Sequence, residues 1–140
     1  MNDRARRFAV RYARIALGAA FLSAVASRLG LWGESDFAAF EQYTAEVNSF
    51  MPAFTIPFLA RAATFLELTL GLALIAGVQL RWVALAAAVL LAMFATAMAI
   101  SFGIQSPFDY SVFSASACAL LVSLEPATGS RTDYASSSGT

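Results

Sequence analysis

The sequence predicts an all-α fold, an integral membrane four-helix bundle with a short amphipathic helix in the first extramembrane loop. Three observations predict it. Hydrophobic residues make up 59% of the 140 residues and charged residues only 13%, against about 25% charged in a typical soluble domain. The mean hydropathy is +0.68. The apolar residues are gathered into runs, and a membrane helix needs about 20 such residues to cross roughly 30 Å of hydrocarbon.

The first predicted span covers residues 8–31, with an uncharged apolar heart ahead of Arg28. It follows a segment that includes Arg4, Arg6 and Arg7, and Arg11 and Arg14 lie within its opening turns. Ser23-Ala24-Val25-Ala26-Ser27 also carries the A-x-A pattern of a secretory cleavage site. The long basic opening and the continuation of the apolar run to Leu31 favour a retained span. The second span is 56–78, with Gly77 suited to capping it. Arg81 and Trp82 suit the interface before the third span, 82–102, which carries no further charge. The fourth is 107–124. Ser106-Pro107-Phe108-Asp109 reads as a capping box with Pro at the first helical position. On this reading Ser106 and Asp109 cap a helix, with a functional role as the alternative, and Tyr110 anchors at the interface. The membrane domain is 1–126, and the Ser/Thr/Gly-rich tail 127–140 is expected to be disordered.

Arginine placement sets an expected orientation. Five arginines precede or open the first span and Arg81 lies in the second connection, whereas the first loop holds Glu34, Asp36, Glu41 and Glu46 and no Arg. The positive-inside rule puts both termini in the cytoplasm of a bacterial inner membrane. Within the first loop, Phe37, Phe40, Tyr43 or Thr44, Val47 and Phe50 or Met51 recur at helical spacing, with Ser35 placed to cap the start. Such a helix lies on the outer surface or over the mouth of the bundle.

Small residues at four-residue spacing mark expected contact faces. They are Ala16, Ala20 and Ala24; Thr69, Ala73 and Gly77; Ala84, Ala88, Ala92 and Thr96; and Ser111, Ala115, Ala119 and Ser123. Cys118, beside the last stripe, reads as a small packing residue.

The chain has no His and a single Cys. That excludes an intramolecular disulfide and leaves no imidazole for haem, zinc or copper. No metal site is expected and no covalently bound cofactor. A formal net charge of zero gives no reason for a nucleic-acid partner.

Glu67 is the most informative residue. It sits mid-span, about 16 Å from either end at helical rise, where a lone carboxylate costs several kcal/mol. It needs partners. Arg14 on the first span, with Arg61 and Thr64 on its own helix, complete the candidate intramembrane polar site. Gly71, one turn on, leaves room for a neighbouring side chain. The site reads either as an ion pair that sets helix register or as a proton- or ligand-handling group.

Arg14-Ile15-Ala16-Leu17-Gly18-Ala19-Ala20-Phe21 and Glu67-Leu68-Thr69-Leu70-Gly71 resemble patterns of the DoxX/DoxD-like membrane proteins. Ser106-Pro107-Phe108-Asp109-Tyr110-Ser111 is similar to the segment that opens the last span in one branch. The resemblance covers roughly residues 10–124. It implies a four-helix inner-membrane protein associated with thiosulfate:quinone oxidoreductase or with thiol and oxidative-stress complexes. It supplies no catalytic residue list, and only Arg14 and Glu67 carry over as matched polar positions.

Three functions follow as expectations. The first is a non-catalytic membrane subunit or accessory of a quinone-linked or thiol/sulfur redox complex, with a membrane or periplasmic partner protein. Quinone enters through the resemblance alone, since such sites leave no residue signature. The second is a small transporter or ligand-binding bundle around Glu67. The third is an assembly module for another membrane protein.

Overall fold

A computed structural model describes residues 2–32 and 36–125, and the described residues contain helices and no strand. Ser35 and the tail 127–140, each given a role above, lie outside them. The helices are α1 (Asp3–Arg28), α2 (Phe37–Val47), α3 (Ile56–Ala76), α4 (Leu80–Phe102), α5 (Gln105–Asp109) and α6 (Val112–Ser123), with a 3-10 turn at Ala53–Thr55 before α3. Three of them, α1, α3 with its preceding turn, and α4, are long and apolar enough to cross a membrane.

Local chemistry explains the ends. The Asn2 side chain accepts from the Arg4 amide and starts α1 five residues before the expected boundary. Arginine is a good helix former, so the basic segment is helical and not an extended lead. Asp36 caps α2 by accepting from the Ala39 amide at 2.8 Å. Pro57 lies in the first turn of α3, where its missing N–H costs nothing. Gly77 ends α3 in the left-handed region at φ 75°, as its position suggested.

The fourth predicted segment departs from expectation. A continuous helix over 107–124 does not form. The chain breaks after α5, with Ser111 at φ 56°, and α6 has 12 residues. The capping box is also corrected. Ser106 lies inside α5, which starts one residue earlier, and no side chain caps that helix. Pro107, fully buried, is the third residue of α5, where an absent N–H leaves no intrahelical bond broken. Asp109 is the last residue of α5 and is exposed, so it caps nothing at an N-terminus.

α1 packs along α3, and α4 packs along α6. Lighter contacts between α3 and α4 and between α1 and α6 close the ring. The core holds Leu17, Phe21, Leu70, Leu74, Ala84, Ala87, Ala88, Ala119 and Val122. The expected stripes on α4 and α6 are used in part. Ala84, Ala88, Ala119 and Ser123 are buried, and Thr96 is exposed. The Ser116 hydroxyl donates to the Ala88 carbonyl at 2.9 Å and ties those two helices. On α1 and α3 the expected stripes are used only in part. Ala16, Ala20 and Thr69 are exposed, Ala24 and Ala73 are half-buried and Gly77 meets Arg14 of α1, while the closest contact is made where Gly18 meets Gly71. A Cβ on Gly18 would lie 2.8 Å from the Gly71 carbonyl oxygen and 2.7 Å from Ile75 Cγ1. Backbone touches backbone at this crossing, and both helices are turned to allow it.

The same register places Arg14 at the other end of α3, against Gly77. A Cβ on Gly77 would collide with the Arg14 guanidinium, besides needing the left-handed conformation that costs an L-residue about 1–2 kcal/mol. Gly77→Ala is therefore expected to lower stability by about 1–2 kcal/mol. Unfolding in mixed micelles checks this. An unchanged midpoint would mean that the α3 end is not held as described.

Candidate functional site

The buried polar site lies between α1 and α3, on the C-terminal side of Gly18 and the N-terminal side of Gly71. Glu67 is 2% exposed. Its carboxylate faces the Arg28 guanidinium. Arg28 Nη1 lies 2.7 Å from Oε2, and Nη2 donates to Oε1 at 3.1 Å. Arg28 Nη1 also donates to Thr64 Oγ1 at 3.2 Å. The Thr64 hydroxyl in turn donates to the Ala60 carbonyl at 2.8 Å. The face of the guanidinium stacks on Phe40 of α2, with Cζ 3.6 Å from the ring centroid. One cation is thus held in its plane by α3 and on its face by α2.

The partner of Glu67 is therefore Arg28 and not Arg14. Helical side chains lean toward the N-terminus of their own helix. Arg28 lies ten residues beyond Gly18 on α1 and leans back toward it. Glu67 lies four residues before Gly71 on the antiparallel α3 and leans away from the crossing, toward Arg28. The axial gap, about 9 Å at helical rise, is closed by both side chains. Arg14 lies four residues before Gly18 and leans away from the crossing, toward Gly77. Arg61 is exposed, because six residues before Glu67 is a different face of α3. Of the expected set, Glu67 and Thr64 come together, and Arg14 and Arg61 do not join them. The signal that could have found Arg28 was the glycine pair. Once Gly18 is set against Gly71, only Arg28 leans toward Glu67.

A cavity of about 540 Å³ opens beside this pair. It lies between the α1/α3 and α4/α6 pairs, and α2 closes it on one side. Its walls are mostly apolar and include Leu17, Phe21, Leu66, Leu90 and Phe94. Arg28, Glu67, Tyr43, Thr44 and Tyr110 supply the polar edge. Burial, with Tyr110 and Glu46 nearby, raises the Tyr43 hydroxyl above its ordinary pKa and keeps it protonated. α2 is pinned by more than Phe40. Tyr43 packs on Phe102 with centroids 6.1 Å apart, and the Ser101 hydroxyl donates to the Val47 carbonyl at the α2 end. Among the described residues no three Cys, Asp or Glu side chains gather where they could hold a metal ion.

The family model that matches the chain is that of the methylamine utilisation protein MauE, over residues 6–109. The chain belongs to the MauE family. The match contains the Arg28–Glu67 pair with Thr64 and Phe40, α2, α3, α4 and all but the first three residues of α1, and MauE proteins are membrane proteins. It overturns the DoxX/DoxD resemblance, which rested on short motifs set in apolar sequence. Those motifs are instead the register of the α1/α3 pair, a glycine contact plus one buried carboxylate, which packing alone can demand. No curated protein and no solved structure matches the chain.

Proposed function

We propose that this MauE-family protein is a non-catalytic membrane accessory of a redox-related system of the methylamine-utilisation kind. The observation that carries the reading is the MauE match, which spans α2 and the buried ion pair together. In this reading residues 1–126 are one membrane domain in a bacterial inner membrane, crossed four times, with both termini cytoplasmic. The α5–α6 segment makes the fourth crossing, supported by its long packing on α4. Residues 127–140 form a cytoplasmic tail. α2 then faces outward, and Asp36 and Glu46 on it are exposed, a surface suited to a partner with a basic patch.

The experiment is affinity capture of the full-length chain in mild detergent from a host that uses methylamine. A membrane or periplasmic redox protein is expected to be retained, and Glu46→Lys should cut retention several-fold at low salt. Capture of no such protein, or retention indifferent to that charge, counts against the accessory role. A second reading, a small ligand-binding bundle or transporter around Glu67, is favoured by the cavity beside that residue. Export of a solute by the chain alone in vesicles would decide for it.

A further inference from the structure

We propose that the cavity beside the Arg28–Glu67 pair binds an uncharged amphiphile drawn from the bilayer, with a carbonyl or ring-oxygen head and an apolar body. This rests on the membrane placement argued above and not on the redox partner.

Size comes first. A volume of about 540 Å³ falls within the roughly 300–1,000 Å³ of small-molecule sites. Access is lateral. Leu66 and Met93 line the cavity from α3 and α4 and are 45% and 63% exposed. Such exposed lining puts the mouth between these two apolar helices, which face lipid on the membrane placement argued above. Charge then selects the head. The buried guanidinium and carboxylate neutralise each other at 2.7 Å. An anionic head would crowd Glu67 and a cationic head would crowd Arg28, each unpaired in a low dielectric. An oxygen acceptor disturbs neither. It can take a hydrogen bond from the guanidinium edge or from the hydroxyls of Tyr43 and Tyr110, which line the same cavity.

The test uses purified full-length protein in phosphatidylcholine nanodiscs. The probe is a photoreactive diazirine derivative of decyl methyl ketone, with labelled residues mapped by mass spectrometry. Labelling should concentrate on cavity residues. Unlabelled ketone should compete at least about tenfold better than decyl sulfate or decyltrimethylammonium, which carry the same chain with fixed charges. Ala97→Trp, which fills the cavity, should cut labelling at least about tenfold. Met93→Trp at the exposed mouth should also cut it, and serves if Ala97→Trp does not fold. Thr96→Trp, on the exposed face beside it, should label like the unmodified chain. Equal competition by all three heads, labelling spread over the outer surface, phosphatidylcholine that the ketone cannot displace, or indifference to Met93→Trp would each overturn the proposal. Because binding is read on the isolated chain, its failure leaves the partner-capture result standing, and the reverse holds too.

Discussion

Arg28→Met is expected to destabilise the protein by about 3–5 kcal/mol, the usual loss when one member of a buried ion pair is removed. The Arg28 side chain is 11% exposed and that of Glu67 3%, so water cannot stand in for the missing charge. The Thr64 contact and the stacking on Phe40 go with it, and α2 loses one of its anchors. The companion variant Arg28→Met/Glu67→Leu should recover most of the loss, since two apolar residues of similar volume replace a desolvated pair at little net cost. Titration with SDS in mixed micelles reads both. A single variant within about 0.5 kcal/mol of the parent, the range of neutral surface changes, would show that the pair is not part of the folded core. A double variant as poor as the sum of its singles would show that Arg28 and Glu67 act independently.

Gly71→Leu carries the second large effect. A Cβ at Gly71 already meets the Gly18 carbonyl oxygen and Leu22 at 3.1 Å, and the rest of a leucine has nowhere to go. The α1/α3 pair must part, at the upper end of the roughly 1–3 kcal/mol typical of overpacking. Parting it also moves Arg28 away from Glu67, so the two losses couple. Thr69→Leu, two residues away on the exposed face, is the matched control and should change stability by less than about 0.5 kcal/mol. If both variants unfold alike, the glycine contact is not the crossing point.

These results also show where the sequence was legible. Composition and run length read out the helical membrane class and three of the long helices, because hydropathy is a local property summed along one helix. The end of α3 at Gly77 was legible for the same reason. Helix α2 was visible in its spacing, although its cap, Asp36, lies one position after the residue expected. The break at Tyr110 and Ser111 was not legible, since a serine in the left-handed region leaves no pattern in the residues around it. The alanine stripe on α1 did not mark the face that meets α3. Alanine is both a good helix former and a small packing residue, so its periodicity does not say which face meets protein and which meets lipid.

The polar site divides the same way. By itself the sequence determined that Glu67 lies mid-helix in apolar surroundings and must be compensated, because a carboxylate away from water has no cheap state. Which arginine compensates it was decided only by tertiary structure. Arg14 and Arg28 are the same residue type on the same helix, and only the Gly18–Gly71 register with the lean of each side chain separates them. The cavity is likewise a tertiary property. It is the space left where two helix pairs meet only at their edges, and no residue in the sequence carries it.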